Sequence, residues 1–242
     1  MDPRIDRVPI ANQQEYEVAC RFLSSQGWLA KIPATLRGAI LKQCALYDVQ
    51  RGARICEIGA PPSGVWGVVS GSFAVEFATD EHGPHFAHIF RPGAWFGECE
   101  IFERRTQFLS VVATRPSRCL RLPAAAPDAI AREHPSVWRY IAILTGAHVA
   151  DALGALSDST IRDADARLAA IMLRLSGVRM HERLSDPEPE IDVTQHDLAL
   201  LANLSRARVH EALERMESAG FVTRSYGHIR ILDTAGLRAM IS

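Results

Sequence analysis

Hydrogen-bonding side chains are concentrated near the C-terminus, where Ser205, Arg206, Arg208, His210 and Glu211 follow one another closely. An arginine guanidinium can donate two parallel hydrogen bonds, either to a phosphate or to the O6 and N7 atoms of a guanine. Such side chains can act together only if neighbouring elements hold them on one exposed surface.

Two short helices joined by a tight turn are predicted to carry these side chains. Thr194 and Asp197 have the spacing of a capping box, in which two side chains satisfy free amides at a helix start. The chain then turns at Ala202-Asn203-Leu204, and Ser205 is placed to cap the second helix. Three apolar residues of that helix recur at i, i+4 and i+7 and should face the core. They are Val209, Leu213 and Met216.

A hairpin is predicted after the second helix. Gly220 fits the position after a helix end, where a positive φ is needed. Residues 221–224 and 229–232 have strand-like patterns around a loop that contains glycine. Helix, turn, helix and hairpin together predict a winged helix-turn-helix, whose second helix enters a groove of DNA. The alternative is a helical pair with a small hairpin that packs against another domain.

Length and composition favour a folded chain of two domains. The chain has 242 residues, of which 48% are hydrophobic and 23% charged, and its net charge is −1. From Ile191 to Ser242 six arginines are balanced by six acids, so non-specific attraction to phosphates should be modest. No apolar run approaches the ~20 residues that span a bilayer, and no secretory signal is recognised. We expect a cytoplasmic protein without a membrane partner.

The cysteines are scattered along the chain and form no C-x-x-C pair. This spacing argues against a zinc ribbon or a clustered iron–sulfur motif. It predicts reduced thiols that are mostly buried, while a redox-sensing thiol stays an alternative. The five residues are Cys20, Cys44, Cys56, Cys99 and Cys119.

Short alternating runs, separated by glycine and proline, occupy residues 53–122. Strands at such regular spacing predict a small barrel or jelly roll. The strand-like runs lie at residues 54–58, 65–69, 73–77, 86–90, 109–113 and 118–122. Helical patterns flank them at residues 13–26, 33–44, 128–132 and 136–157.

The helical pattern after the strands is rich in small residues, which permit close approach of a second helix. One stripe of this pattern is formed by Val137, Ile141, Leu144, His148 and Ala152. Paired recognition helices must lie about 34 Å apart to enter successive major grooves, so a dimer is expected. We therefore predict a dimerisation helix, with an ordinary core helix as the alternative, followed by a hinge in the polar run of residues 157–160.

The order of barrel, long helix, hinge and winged helix resembles the CRP/FNR family of bacterial transcription regulators. The motifs that carry this resemblance lie at residues 68–71, 91–98, 197–199, 204–209 and 226–231. The resemblance implies an α+β fold in three parts. A β-roll or jelly roll of the cyclic-nucleotide-binding type occupies residues 1–134, a dimerisation helix and hinge residues 135–158, and a winged helix-turn-helix residues 159–242.

The resemblance also locates an effector pocket. In nucleotide-binding members, a Phe-Gly-Glu turn and an Arg-Ser or Arg-Thr pair about ten residues later hold the cyclic phosphate and the ribose. Phe96-Gly97-Glu98 matches the turn, but the pair falls on Gln107 and Phe108. A neutral Gln cannot replace a guanidinium, and Phe108 is expected to fill the pocket. Arg104 or Arg105 would reach the pocket only after a loop rearrangement.

A second departure from the family lies on the long helix. The Thr-Ser pair that meets the adenine in the cyclic-AMP receptor protein falls on Ala152 and Leu153. Both polar groups are missing, so we predict that the protein does not bind cyclic AMP in the usual way. Glu98 is then expected to cap local amides. The effector stays unidentified, and no cofactor is predicted.

Other sensor chemistries of the family have little support in this sequence. The oxygen-sensing branch uses clustered N-terminal cysteines, and Cys20 is the one cysteine of that region. Haem-binding members use an axial His or Cys, whereas His82, His85 and His88 are expected to face solvent.

At the start of the second helix the resemblance implies contacts with DNA bases. Arg206 is the best candidate for a base contact, and Ala207 offers only apolar contact, for instance to a thymine methyl. Glu211 replaces a family arginine, so the operator should be a palindrome with an altered half-site. The remaining predicted contacts with DNA are Thr194, Gln195, Ser205, Arg208, His210, Arg224 and Arg230.

The sequence therefore predicts a homodimeric, sequence-specific regulator that binds double-stranded DNA and RNA polymerase. One alternative is a ligand-independent regulator with a filled pocket, and another is a protein-interaction module that uses the winged helix. An enzyme is not expected, because no nucleophile–base pair, metal-ligand spacing or phosphate loop is found. No metal is predicted.

Overall fold

The fold comes from a computed structural model that describes residues 2–7, 13–77, 85–102, 106–177, 189–225 and 227–241. The chain divides into two compact units. One contains Met1–Pro84 and Ile89–His148, and the other contains His85–His88 and Val149–Ser242. Several residues named above lie outside the described ranges: His82, Arg104, Arg105, Tyr226 and residues 178–188.

A strand and three helices open the first unit. They are β1 (Ile5–Arg7), α1 (Gln13–Ser25), α2 (Gly27–Ala30) and α3 (Ala34–Gln43). The structure confirms the predicted α1 and α3 to within one residue at each end. The sequence pattern does not predict α2, because its four residues are too few to show a helical period.

Two antiparallel sheets follow these helices. Their further strands are β2 (Ala45–Val49), β3 (Arg54–Cys56), β4 (Val65–Ser70), β5 (Phe73–Phe77), β6 (His85–Phe90), β7 (Trp95–Phe96), β8 (Ser110–Ala113) and β9 (Ser117–Leu122). One sheet has the order β1-β2-β9-β4-β7 and the other the order β3-β8-β5-β6. The predicted β-roll is confirmed. The strands that the sequence pattern does not predict are β1, β2 and β7.

Aromatic side chains join the two sheets. Phe96 of β7 stacks on Phe90 of β6 with ring centroids 4.7 Å apart, and it lies 5.6 Å from Phe73 of β5. Trp28 of α2 meets Trp95 of β7 edge-on at 5.4 Å. Each buried ring of this kind stabilises the fold by about 1.5–3 kcal/mol. These contacts fix the end of β7 and hence the turn that follows it.

The helices α4 (Ala126–Ala131) and α5 (Val137–Ser159) come after β9. Val137, Ile141 and Leu144 of α5 are buried in the core of the first unit. The prediction that Val137, Ile141 and Leu144 contact a second chain is therefore wrong. They pack within their own unit because the apolar cluster around α1 and α3 covers them.

A different face of α5 is apolar and exposed. Ala142, Gly146, Val149, Leu153 and Leu156 lie on it, alternately four and three residues apart. Leu153 and Leu156 are 59% and 63% exposed, and Val149 is 55% exposed. An apolar spacing that alternates four and three is the heptad pattern of a coiled-coil contact. We call these five residues the α5 seam.

By length and composition alone, α5 is long and apolar enough to cross a membrane. The expectation that no apolar run approaches this length is therefore too strict. A single such helix is weak evidence of a span, since core helices of other proteins pass the same test. A bilayer would also have to accommodate Asp151 and Asp158, at a cost of roughly 3 kcal/mol for a carboxylate at the centre.

The second unit contains helix α6 (Ala164–Leu175), a helix pair and a small sheet. The later elements are β10 (Glu190–Ile191), α7 (Gln195–Ala202), α8 (Arg206–Ser218), β11 (Val222–Ser225), β12 (His228–Ile231) and α9 (Thr234–Ala239). The three strands form a sheet of order β10-β12-β11, which we call the wing. The helix pair and the hairpin β11–β12 are confirmed. The sequence pattern predicts neither α9 nor β10.

Most of the polar run predicted to be a hinge, residues 157–160, is helical. Helix α5 continues through Ser159 and carries Asp158 into the interior. The Arg174 Nε of α6 donates to Asp158 Oδ2 at 2.8 Å, and both side chains are 2% exposed. Removing one partner of such a buried pair costs about 3–5 kcal/mol, so this pair holds the end of α5 in helical form.

Candidate nucleic-acid interface and effector pocket

Local caps position the two helices of the helix pair. The capping box between Thr194 and Asp197 is present, and Ser205 Oγ accepts from the Arg208 amide at 3.2 Å. The turn between the helices depends on Asn203, which has a φ of 51° in the left-handed region. Asn tolerates that region better than most residues. Both predicted caps are confirmed, each typically worth about 1 kcal/mol.

One exposed stripe of α8 carries the predicted base contacts. Arg206, Ala207, His210, Glu211 and Glu214 are all exposed, and their spacing of one and four residues places them on one face. The opposite face is buried through Val209, Ala212, Leu213 and Met216, which confirms the predicted core of the helix. The exposed stripe can therefore offer one guanidinium, one imidazole and two carboxylates to a ligand.

Arg206 stands at the start of this stripe. Its Nε donates to His196 Nδ1 on α7 at 3.2 Å, so its contact is with a neutral acceptor rather than a carboxylate. His210 lies 3.1 Å from Glu214 Oε1, and Gln195 Nε2 lies 3.5 Å from His210 Nδ1. Two contacts therefore join α7 to α8, one between His196 and Arg206 and one between Gln195 and His210.

Arg208 has a different environment from Arg206. Its Nη2 lies 2.9 Å from Asp165 Oδ1, and its Nη1 lies 3.6 Å from Glu211 Oε2. The same Asp165 accepts two bonds from Arg215, at 2.8 and 2.9 Å. The Arg215 hydrogen bonds, and then the charge of Arg208, hold the pKa of Asp165 below its ordinary value. One carboxylate therefore restrains two arginines of the recognition helix.

The arginines of the wing are also paired. Arg224 makes an ion pair with Glu217 at 2.6 Å, and its hydrogen bond lowers the pKa of that carboxyl. Arg230 Nη2 lies 3.5 Å from Glu190 Oε2. Sequence reasoning missed Asp165, Glu217 and Glu190, because each pair joins different elements and has no local spacing signal.

The Phe-Gly-Glu turn follows β7 directly. Phe96 is buried, and Gly97 has a φ of +90° with Gly64 O only 2.5 Å from where a Cβ would stand. A glycine is required at that position. The turn directs Glu98 into the interior, where its side chain is 1% exposed.

Glu98 is paired with a histidine as well as with its own backbone amide. His148 Nδ1 of α5 lies 2.8 Å from Glu98 Oε1, and the Cys99 thiol donates to the same oxygen at 3.3 Å. The expectation that Glu98 caps local amides overlooked His148, although the sequence places that residue on the inner stripe of α5. Burial raises the pKa of Glu98, but the hydrogen bond and charge of His148 outweigh it, so the pKa is lowered overall.

Gln107 lies beside a second buried carboxylate. Its side chain is 2% exposed, and its amide nitrogen, in the orientation that satisfies both groups, donates to Glu100 at 2.9 and 3.2 Å. Burial raises the pKa of Glu100, and the charge of Glu98 adds to this effect. The position at which the family places a phosphate-binding arginine is thus occupied by an amide that satisfies an acid.

Phe108 does not fill a pocket. Its side chain is 60% exposed, so the expectation of apolar filling by this residue is wrong. The chain bends at Phe108 and Leu109, before β8 begins at Ser110. Ala152 and Leu153 are also exposed, and they belong to the second unit, whereas Glu98 and Gln107 belong to the first.

The thiols and histidines show little sensor chemistry. All five cysteines are free, and burial raises the pKa of each thiol, to about 12 for Cys56. A raised pKa disfavours the reactive thiolate. The prediction that most thiols are buried holds for Cys56 and Cys119, whereas Cys20, Cys44 and Cys99 are half-buried. His85 faces solvent as expected, but His88 Nδ1 lies 3.1 Å from Arg174 Nη1, so the expectation of a solvent-facing His88 is wrong.

Two family models match the chain. Residues 47–134 match the cyclic nucleotide-binding domain, and residues 166–240 match the Crp-like helix-turn-helix domain. Together the two models cover more than half of the chain, in the order seen in the fold. The chain belongs to the CRP/FNR family. It is a transcriptional regulator with a helix-turn-helix DNA-binding domain, and not an enzyme.

Relatives of this CRP/FNR regulator match along most of their length. A CRP-like cAMP-activated global transcriptional regulator of Mycobacterium tuberculosis is 20% identical over 89% of this chain and 96% of the relative. The transcriptional regulator SdrP of Thermus thermophilus is 24% identical over 76% of this chain and 86% of the relative. The structure of FixK2 from Bradyrhizobium japonicum matches with a TM-score of 0.70, at 15% identity over 82% of this chain and 98% of that one.

Proposed function

We propose that this protein is a homodimeric regulator that binds a palindromic operator and does not use cyclic AMP as its signal. The observation that carries the proposal is the exposed stripe of α8, which begins with Arg206 and is held by the capped helix pair. A stripe of this kind can reach base edges in a major groove. The DNA-binding and effector-pocket residues predicted from the sequence remain part of this proposal.

The α5 seam supports the dimer. Large apolar side chains at Val149, Leu153 and Leu156 are more than half exposed, and their heptad spacing matches a two-stranded coiled-coil contact. A dimer with two-fold symmetry carries two copies of α8. Two identical helices related by such an axis bind a palindromic sequence. We assign residues 1–134 to the sensor, 135–158 to the dimer helix and hinge, and 159–242 to the DNA-binding domain.

The side chains on the stripe favour an unusual half-site. Arg206 can read a guanine, Ala207 can touch a thymine methyl, and Glu211 can accept from cytosine N4. Arg208 and Arg224 are restrained by acids, so they contribute to phosphate binding only if those pairs open. We expect strong dependence on base sequence and weak binding to unrelated DNA.

The buried acids around the turn support a different effector chemistry. Glu98 is paired with His148, and Gln107 satisfies Glu100, so the position at which the family binds a phosphate with an arginine offers no guanidinium. The relative from Mycobacterium tuberculosis is described as cAMP-activated, but at 20% identity that property does not transfer. A cytoplasmic location and contact with RNA polymerase complete the proposal, as expected for a regulator of transcription.

Selection of bound fragments from random double-stranded DNA tests the proposal. We expect an enriched inverted repeat whose half-site centres lie about one helical turn apart. The selection should be repeated with metabolite extract, because a dependence on extract would reveal an effector. Recovery of no common sequence, or of a single half-site without a repeat, would contradict the proposal and favour a protein-interaction role for the winged helix.

A further inference from the structure

The outer face of the wing gathers metal-binding side chains that the proposed function does not use. Glu190 and Asp192 are two residues apart, so both point outward while Ile191 and Val193 are buried. In the register of the sheet, Glu190 pairs with Arg230 and Ile191 with Ile229. Continuing that register places Asp192 opposite His228.

The donor atoms of three of these side chains converge. One atom each from Glu190, Asp192 and His228 lies within 4.8 Å of the others. Glu190 Oε1 is 3.2 Å from His228 Nδ1, and Asp192 Oδ1 approaches the same nitrogen still more closely. A tetrahedral zinc ion with bonds of about 2.0–2.1 Å holds its donors roughly 3.3 Å apart, which is close to the Glu190–His228 separation.

The nitrogen at the centre of this cluster is poorly satisfied. His228 Nδ1 is itself shielded from solvent and has no hydrogen-bond partner of acceptable geometry among the described residues. Ionised carboxylates are acceptors only, and an imidazole nitrogen carries at most one hydrogen, so His228 Nδ1 can donate to only one of the two acids that face it. A cation placed among the three donors would satisfy all of them at once.

We propose that Glu190, Asp192 and His228 form a binding site for a divalent transition-metal ion on the outer face of the wing. One imidazole nitrogen and two carboxylate oxygens are ligands that zinc accepts, and a fourth position stays open to water. The cluster is partly exposed, so the ion can enter without unfolding the domain. The site was not visible in the sequence, because the strand register, and not a short spacing motif, brings His228 to the two acids.

The ion would also regulate the wing, a consequence that rests on the proposed DNA-binding function. The two positive charges of a bound dication offset those of Glu190 and Asp192, which would otherwise repel a phosphate. The same sheet carries Arg224 and Arg230, both predicted phosphate contacts. Zinc should therefore tighten the binding of DNA.

A zinc titration of the full-length, DNA-free protein under reducing conditions tests the site. By calorimetry we expect one ion per chain, and an affinity that falls by at least about tenfold in His228→Gln and in Asp192→Asn. His134→Gln alters a histidine at the end of α4, outside the wing, and should bind zinc as the unmodified protein does. Circular dichroism verifies that each variant is folded. Unchanged binding in His228→Gln, as cysteine ligation would give, overturns the site.

The regulatory part is tested on the selected operator DNA. Zinc should tighten binding at least about fivefold in the unmodified protein and not in His228→Gln. An equal zinc effect in both proteins, or no effect in either, would overturn the regulatory role. If neither protein binds any DNA, the proposed function fails, while the titration without DNA still decides whether the ion site exists.

Discussion

Two arginines of the same helix, Arg206 and Arg208, show how much the surroundings of a residue decide. Arg206 donates to a histidine, whereas Arg208 and Arg215 share the carboxylate of Asp165. The sequence presents both as candidates for contact with DNA, Arg206 for a base and Arg208 for a phosphate. Their difference depends on Asp165 of α6, more than forty residues earlier in the chain, and no local sequence pattern predicts it.

Replacing Arg206 with alanine should weaken binding to the selected operator by about 1–3 kcal/mol and relax the preference at one base step. The reason is the loss of a bidentate contact with a guanine. Fluorescence anisotropy on the operator and on single-base variants measures both effects.

Arg215→Ala is the matched control for this prediction. It removes an arginine of the same helix that is paired with Asp165, so the base preference should not change. A loss in Arg206→Ala that is equal on every DNA sequence would instead make Arg206 a phosphate contact.

Helix α5 shows how far the sequence of a single element predicts which of its faces is buried. Its sequence is apolar on two faces, so periodicity alone cannot tell the face that fills the core from the face left open. The structure separates them: Val137, Ile141 and Leu144 are buried, whereas Val149 and Leu153 are exposed. The helix itself was predictable, but the orientation of its faces required the position of the apolar cluster.

Leu153→Glu should convert the dimer to a monomer, because each seam would bring two like charges together in an apolar contact. Leu153 is exposed in the single chain, so folding should be little affected. Analytical ultracentrifugation measures the mass in solution, and we expect tight binding to the palindrome to be lost with the dimer.

The control is Val18→Glu, which places the same charge on an exposed apolar residue of α1, outside the seam. It should remain dimeric. Sedimentation of Leu153→Glu as a dimer would show that the seam is not the dimer contact.

Elements with strong local signals were predicted well. The caps at Thr194 and Ser205 and the hairpin β11–β12 have short sequence signatures, and all are present. Strands β7 and β10 have two residues each, so their existence depends on the strands beside them. The end of α5 likewise depends on Asp158 and its partner on α6.

At the scale of the whole molecule, the order of the parts was predictable and the ligand chemistry was predictable only in part. The replacement of arginine by Gln107 was visible in the sequence. The pairing of Glu98 with His148 was not, because it joins β7 to a helix fifty residues later. Phe108 misled the prediction, because a large apolar residue next to a pocket motif need not point inward.

Cyclic AMP should give no binding heat at micromolar concentrations in a calorimetric titration. The buried Gln107 stands where the family uses an arginine, and its neutral amide cannot replace a guanidinium against the phosphate. The cAMP-activated relative from Mycobacterium tuberculosis serves as the positive control under the same conditions. Micromolar affinity in this protein would overturn the prediction.

The hold of Asp165 on Arg208 and Arg215 has a consequence for how this regulator can evolve. Loss of that one carboxylate would remove the Asp165 contacts of both arginines and leave Arg208 with its longer contact to Glu211. An aspartate becomes an asparagine by a single nucleotide change, so a broad-specificity descendant lies one mutational step away. Asp165 on α6 therefore limits binding to unrelated DNA, although it does not need to contact DNA itself.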